Sequence, residues 1–148
     1  MKIIIGADHK GFELKERVKE WFLGSETNIE DLGAFEKDPD DDYPIIAEKV
    51  ARKVAGENGS RGILICGSGV GVDIVANKIE GIRCGLGMNE KQVEAGRNDD
   101  DINILAIASD FTDFDKAKKL IQVFLNTPFN EAAKRLRRIE EINDIEEN

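Results

Sequence analysis

The residue types best suited to chemistry lie in one short run, Cys66-Gly67-Ser68-Gly69-Val70-Gly71. The run follows the apolar triplet Ile63-Leu64-Ile65, which is typical of a strand buried on both faces, and precedes a helix-compatible segment, residues 73–78. Backbone N–H groups at a helix start have no partner within the helix and carry the positive end of its dipole, so they favour an anion. Glycines would let that anion approach closely, and the same donors would favour the thiolate of Cys66. We therefore interpret Cys66 as a candidate acid/base.

Two nucleotide-binding motifs do not fit this run. A dinucleotide fingerprint would need a third glycine at position 72, which is Val72, and a Walker loop would end in Gly-Lys-Ser/Thr. The residues alone leave a plain alternative open, in which Cys66 is a small buried hydrophobe and the glycines only form a tight turn.

Strand-like and helix-like segments alternate around the run. The strands are predicted at residues 3–6, 28–32, 63–65, 82–86 and 103–108. The helices are predicted at residues 10–23, 43–56, 73–78, 90–97 and 113–126, with a last one after Pro128. This order predicts an α/β Rossmann-like three-layer sandwich with a five-stranded parallel sheet. Ligands of such sheets bind at the carboxyl edge, where we expect Asp8-His9, residues 66–71 and residues 99–101 to meet.

Composition limits the classes of function. The 148 residues predict a single domain, 1–148, and the formal net charge of −9 argues against a nucleic-acid partner. No apolar run is long enough to span a membrane, and the first residues lack the zones of a signal peptide, so a cytoplasmic location is expected. Cys66 and Cys84 are expected to be reduced thiols. The run Asp99-Asp100-Asp101 has no accompanying His or Cys, so no metal is expected.

Four stretches resemble the ribose-5-phosphate isomerase B / galactose-6-phosphate isomerase family of sugar-phosphate isomerases. The family has a CGTG-like turn followed by GxSIAANK and GIRA, and the matching residues are Cys66-Gly67-Ser68-Gly69, residues 70–78 and Gly81-Ile82-Arg83-Cys84. Residues 6–11 resemble the family's first strand-to-helix turn, and Asp42-Tyr43-Pro44 resembles its DYP motif. The matches are in register and cover nearly the whole chain.

The resemblance implies an aldose–ketose isomerase of a phosphorylated sugar, expected to convert ribose 5-phosphate to ribulose 5-phosphate through an enediolate. Cys66 would be the base, Ser68 would relay a proton between the oxygens, and the N–H groups of the glycine turn would hold the oxyanion. No cofactor is implied. The expected substrate or phosphate contacts on this side are Asp8, His9, Tyr43, Gly67, Gly69, Val70, Gly71 and Asn77. The alternatives are another sugar phosphate, a tetrose or hexose, or an impaired sugar-phosphate-binding relative.

The resemblance also implies a homodimer or homotetramer in which the C-terminal helix extends to a partner subunit. The family pattern GGRHxxRV matches residues 132–139 here, and it places the phosphate-binding basic positions on Lys134 and Arg138. Lys134 would be a non-bidentate replacement for arginine. From the residues alone, the alternative is a solvated basic helix face.

Two departures from the family pattern bear on the substrate. Asp99 stands where the family has a ring-opening histidine, and Ser109-Asp110 stands where it usually has a phosphate-binding arginine. One hypothesis is a substrate that needs little ring opening, such as a tetrose 4-phosphate. The other is that Asp99 is the ring-opening acid, with its pKa raised by Asp100 and Asp101 through like-charge repulsion. The sequence leaves both open.

Overall fold

The computed structural model describes residues 1–148 and contains five strands and six helices. The strands are β1 (Lys2–Ala7), β2 (Asn28–Asp31), β3 (Arg61–Cys66), β4 (Cys84–Leu86) and β5 (Ile104–Ala108). The helices are α1 (Phe12–Phe22), α2 (Tyr43–Ala55), α3 (Val70–Ala76), α4 (Glu90–Asp100), α5 (Phe114–Asn126) and α6 (Ala133–Glu146). Every strand and helix predicted from the sequence is present.

All neighbouring strands are parallel, in the order β2-β1-β3-β5-β4. The three inner strands β1, β3 and β5 are buried along nearly their whole length. Helices cover both faces of a parallel sheet, so its inner strands are continuous apolar runs without alternation of polar and apolar residues. For this reason the short runs Ile3-Ile4-Ile5 and Ile63-Leu64-Ile65 predicted strands correctly.

Two apolar cores lie on the two faces of the sheet. One contains the odd-numbered residues of β1, β3 and β5 together with buried residues of α1, α4 and α5. The other contains the even-numbered residues of the same strands with buried residues of α2 and α3. The thiol of Cys66 belongs to the second core, so it faces the side of the sheet that α2 and α3 cover.

The structure moves two predicted boundaries that matter for the site. Helix α3 begins at Val70, three residues before the predicted start, because Gly69 adopts φ 72 and turns the chain directly into the helix. Helix α4 continues through Asp99 and Asp100, which were predicted to lie in a loop, and ends where Asp101 adopts φ 48. Asp99 therefore lies in the last turn of a helix.

Helix α6 has no buried residue. It is attached to the rest of the chain by an ion pair between Arg135 and Asp99, at 2.8 Å, and by a hydrogen bond from the Gly81 N–H to Glu146, at 2.9 Å. Its apolar side chains Leu136 and Ile145 are about half and three-quarters exposed. None of the six helices combines the length and the apolar character that crossing a bilayer requires.

Candidate active site

Two turns with chemically useful residues lie side by side at the carboxyl edge of the sheet. The strand order reverses between β1 and β3, because the chain goes from β1 to β2 on one side and returns to β3 on the other. Open α/β sheets bind ligands in the crevice at such a switch point. Cys66 ends β3, and Asp8 and His9 follow β1. The register pairs Ala7 with Ile65, so the residues that come next on the two strands are neighbours.

The turn that follows β3 keeps backbone donors available. Gly69 adopts φ 72 and forms the N-cap of α3, and the Ser68 hydroxyl accepts a hydrogen bond from the Val70 N–H at 3.2 Å. The first hydrogen bond of the helix runs from the Asp73 N–H to the carbonyl of Gly69. The Gly71 N–H lies before that bond and has no partner within the helix. These donors suit an oxyanion held beside the thiol.

Tyr43 packs directly on the glycine turn. It is the first residue of α2 and is 39% exposed. A Cβ atom at Gly71 would lie 2.6 Å from the ring of Tyr43, so only glycine allows the ring to come this close. Tyr43 and the glycine turn, both expected to contact the substrate, are therefore in contact with each other, and the phenol lines one side of the crevice.

The turn after β5 joins the turns after β1 and β3. The Ser109 N–H donates to the carbonyl of Cys66 at 2.9 Å, and its hydroxyl donates to the carbonyl of Lys10 at 2.9 Å. The Asp110 N–H donates to the carbonyl of Gly67 at 3.0 Å. Three loops that are far apart in sequence are thus fixed to one another around the thiol.

Asp8 and His9 have different surroundings at the same edge. Asp8 is 6% exposed, and its carboxylate accepts hydrogen bonds from the N–H groups of Lys10 and Gly11, both at 3.0 Å. The carboxylate Oδ1 of Asp41 lies 2.7 Å from Nδ1 of His9 and 3.2 Å from its backbone N–H. This hydrogen bond to Asp41 is the main cause that raises the pKa of His9, and the charge of Asp8 adds to it.

Ligand atoms of Asp8, His9 and Asp41 all lie within 4.8 Å of one another, a spacing that a metal ion could bridge. Oδ1 of Asp41 is already bonded to two donors of His9. The other oxygen, Oδ2, is buried without a partner. The arrangement is that of a carboxylate that orients and charges an imidazole.

The structure does not bring Asp99 to this edge. Helix α4 starts after β4, at the carboxyl edge, and its 11 residues carry the chain about 16 Å back to the amino end of β5. Asp99 lies near that far end and pairs with Arg135 of α6 at 2.8 Å. The expected meeting of residues 99–101 with Cys66 within one chain was wrong, because these residues lead into β5 and therefore lie at the amino edge of the parallel sheet, opposite to Cys66.

The hypothesis that Asp99 is the ring-opening acid required a raised pKa of this carboxyl, and the structure shows the opposite shift. Hydrogen bonds from Arg135 first, and from Asn98 next, hold the pKa of this carboxyl below its ordinary value, and the charge of Lys134 acts in the same direction. Asp101 is engaged by Arg83 and Arg97, at 3.0 and 2.7 Å. The carboxylates that were expected to repel Asp99 are outweighed by the guanidinium beside it.

Asn77 also lies away from the crevice. It follows the last residue of α3 and faces the first residue of β4, at the amino edge of the sheet. Its amide oxygen accepts from the Cys84 N–H at 2.8 Å, and its amide nitrogen donates to the Cys84 carbonyl at 3.0 Å and to Asp73 at 3.1 Å. The predicted substrate contact of Asn77 was wrong within this chain, because the side chain joins α3 to β4.

The basic residues of α6 differ in their partners. Arg135 pairs with Asp99, and Arg137 lies 3.8 Å from Glu141. Lys134 and Arg138, which the family pattern selects, have no carboxylate within ion-pair distance. They lie on a helix without buried residues and not in the crevice of their own chain.

Sequence reasoning missed the anchoring of the loop that carries Asp41. The amine of Lys15 is fully buried and donates to both oxygens of Asp31, at 2.8 and 2.7 Å, and to the carbonyl of Ala34 at 2.6 Å. The Ala34 N–H donates to the carbonyl of Ala7 at 2.7 Å. A lysine at a helical position that faces the core was the available signal, since buried lysines are almost always paired.

The family of the chain is shown by comparison with known sequences. The sequence profile of the family described as Ribose/Galactose Isomerase matches residues 3–142. The chain belongs to this family, whose members are aldose–ketose isomerases of sugar phosphates.

Individual relatives agree over nearly the full length. Ribose-5-phosphate isomerase B of Mycobacterium leprae is 34% identical over 146 residues, covering 99% of this chain and 90% of that protein. The crystal structure of ribose-5-phosphate isomerase B from Mycoplasma genitalium with bound ribulose-5-phosphate has a TM-score of 0.94 at 36% identity, covering 99% of this chain and 97% of that one. The enzyme from Clostridium thermocellum has a TM-score of 0.93 at 34% identity, with 99% and 98% coverage. The predicted α/β fold and isomerase class are confirmed.

Proposed function

We propose that this chain interconverts ribose 5-phosphate and ribulose 5-phosphate, with the thiol of Cys66 as the base. The observation that carries the proposal is the position of Cys66 at the end of a central strand, at the switch point and beside unpaired backbone donors. The names of the relatives support the choice of substrate.

In the proposed reaction, the Cys66 thiolate takes the proton from C2 of the open-chain aldose and returns it to C1. The charge that develops on the oxygen atoms is held by backbone N–H groups of the turn, including that of Gly71. Removing one such donor typically costs about 2.7–4 kcal/mol at the barrier. The Ser68 hydroxyl passes a proton from O2 to O1, so that the aldose and the ketose have the same atoms and charge.

The two cysteines offer a matched test of the base. Cys66→Ala should lower the rate of ketose formation from ribose 5-phosphate by about 10²–10⁴-fold, the usual contribution of a general base. Cys84→Ala should leave the rate within about twofold, because Cys84 lies at the start of β4 on the opposite edge of the sheet. Retention of activity in Cys66→Ala would overturn the assignment of the base. Incorporation of solvent deuterium at C2 distinguishes an isomerase from a protein that only binds the sugar.

The pKa of the Asp99 carboxyl decides whether this residue can act as the acid that opens the sugar ring. The hydrogen bond from Arg135 holds the pKa of this carboxyl below its ordinary value, so the shift is opposite to the one that a general acid needs. We therefore propose that ring opening does not use Asp99 as an acid. Comparing the kcat of Asp99→Asn with that of the wild type on ribose 5-phosphate tests this proposal; a loss of about 10²-fold or more, the usual contribution of a general acid, would contradict it.

We propose further that the active form is a homodimer or homotetramer in which α6 reaches the site of a partner. The absence of buried residues on α6 and the unpaired charges of Lys134 and Arg138 support this arrangement. In it, Lys134 and Arg138 would bind the partner's substrate phosphate, with Asp99 beside them through its ion pair to Arg135. A solution mass of one chain, 16.4 kDa, for a fully active sample would refute the arrangement.

A further inference from the structure

A lysine and an aspartate meet directly above the glycine turn. Nζ of Lys10 lies 3.4 Å from Oδ2 of Asp110. A Cβ atom placed on Gly67 would lie 2.6 Å from Cδ of Lys10 and 2.8 Å from Oδ2 of Asp110. Both side chains are therefore in contact with the residue that follows the proposed base, Cys66. The ion pair lies at the mouth of the candidate active site.

The backbones of both residues are fixed in this position. The Lys10 N–H donates to Asp8 at 3.0 Å, and the Lys10 carbonyl accepts from the Ser109 hydroxyl at 2.9 Å. The Asp110 N–H donates to the carbonyl of Gly67 at 3.0 Å. The loops therefore cannot carry the pair away from the turn without breaking these bonds. Only the side chains of Lys10 and Asp110 are free to move.

The ion pair itself is weak. The side chains of Lys10 and Asp110 are 55% and 48% exposed, and ion pairs as exposed as this one contribute little to stability. A phosphate dianion carries more charge than a carboxylate and presents three acceptor oxygens, so it competes well for the amine. Breaking the pair to bind a phosphate would cost little.

The other cation that follows β1 is already occupied. His9 is hydrogen-bonded to Asp41 at 2.7 Å, whereas Lys10 has only the exposed carboxylate of Asp110. In a chain of net charge −9, an anionic substrate needs a local cation. Lys10 is therefore a cation beside the glycine turn whose only charged partner is an exposed carboxylate.

We propose that Lys10 binds the phosphate group of the substrate and that Asp110 is a specificity-determining competitor. In the empty site, Asp110 keeps the amine over the turn. When the substrate enters, its phosphate replaces Asp110 as the partner of Lys10, so a sugar without phosphate gains nothing from this exchange. This inference rests on the proposed isomerase function for the identity of the substrate, but not for the binding of phosphate.

The test compares Lys10→Gln with Lys53→Gln. Lys53 is also an exposed, ion-paired lysine, 43% exposed, with Glu30 and Glu57 at 3.8 and 3.7 Å, and it lies near the amino edge of the sheet. Lys10→Gln should raise the KM for ribose 5-phosphate and the inhibition constant of inorganic phosphate by about tenfold, the value of one charge-assisted hydrogen bond. The kcat should stay within about twofold, and Lys53→Gln should match the wild type.

A second variant tests the role of Asp110. Asp110→Asn should increase the affinity for inorganic phosphate by about threefold, since it removes the carboxylate that competes weakly for the amine of Lys10. The same change made in the Lys10→Gln background should give no such gain. Weaker phosphate binding by Asp110→Asn would overturn the proposal. So would a loss of phosphate affinity in Lys53→Gln equal to the loss in Lys10→Gln.

Direct titration with inorganic phosphate separates this proposal from the proposed function. If the wild type turns over ribose 5-phosphate but Lys10→Gln binds phosphate as well as the wild type, the role of Lys10 is refuted and the isomerase stands. If the wild type has no turnover, weaker phosphate binding by Lys10→Gln still supports the phosphate site, whereas equal binding refutes it.

Discussion

Substitution of Gly69 by alanine tests whether the glycine turn needs its left-handed backbone and its close packing on β5. Gly69 adopts φ 72, a backbone conformation that residues with a side chain rarely adopt. The added Cβ would lie 2.5 Å from Cδ1 of Leu86, 3.1 Å from the backbone nitrogen of Ala108 and 3.2 Å from the carbonyl carbon of Ile107. The leucine side chain can rotate, but the backbone of β5 cannot move without disturbing its pairing with β3.

Two separate effects determine how much Gly69→Ala lowers the free energy of unfolding. A left-handed backbone costs about 1–2 kcal/mol for a residue with a Cβ. Crowding in a packed site adds about 1–3 kcal/mol. Gly59 is the matched control, because it has φ +81 with nothing within 4 Å of the added Cβ. Gly59→Ala should therefore be destabilised by the backbone conformation alone. Gly69→Ala should be less stable than Gly59→Ala by the crowding term, about 1–3 kcal/mol.

Urea unfolding of the two variants and the wild type measures these differences. Thermal unfolding should show them as well, at about 2–4 °C for each kcal/mol in a chain of this size. Gly69→Ala should also lower the kcat on ribose 5-phosphate, since it displaces backbone donors of the turn, whereas Gly59→Ala should not. Equal free energies of unfolding for the two variants would refute the packing argument, and an unchanged kcat for Gly69→Ala would refute the role of the turn.

Two further predictions concern titrating pairs. Asp41→Asn should lower the pKa of His9, measured by NMR titration of the chain's single imidazole; an unchanged pKa would show that Asp41 does not charge the ring. The pair stabilises the fold below the unfolded pKa of about 6.5 and this stability is lost as the pH rises through the raised folded pKa, so the variant's deficit should be largest in acid. Lys15→Met should cost about 3 kcal/mol in urea unfolding, the lower end for a broken buried pair, because Lys19 still reaches Asp31 at 2.7 Å. Burial raises the pKa of Asp31, but the hydrogen bonds from the two lysines and from the Gly33 N–H together lower it by more. The deficit should therefore shrink as the pH falls through that lowered pKa; a deficit independent of pH would contradict this account.

The fold could be predicted from the sequence because its signals are local. Continuous apolar runs mark the inner strands, and the glycine run marks the turn at their carboxyl edge. Once the strands were taken as parallel, Cys66 and His9 had to lie at the same edge, and they do.

The rest of the site depended on distances that the sequence does not state. Asp99 and Asn77 were assigned to the crevice by motif, but each lies at the far end of its helix, at the opposite edge of the sheet. The end of a helix that leads into the next parallel strand lies at the amino edge of the sheet, so the error came from the motif match and not from the helix boundaries. The pairing of Asp41 with His9 joins residues 32 positions apart, and in sequence Asp41 is only one of several acids in a polar loop.

The interior position of β1 has a consequence for synthesis. β1 leaves the ribosome before β2 and β3, the two strands with which it pairs, and Ile3, Ile4 and Ile5 are fully buried only when the helices of both faces are in place. At about 5–20 residues per second, the chain needs several seconds to reach residue 66 and more to reach the last residue of β5. During that interval the apolar run Ile3-Ile4-Ile5 lacks its partner strand β3. The edge of β1 that pairs with β3 therefore stays open until residues 61–66 have been synthesised.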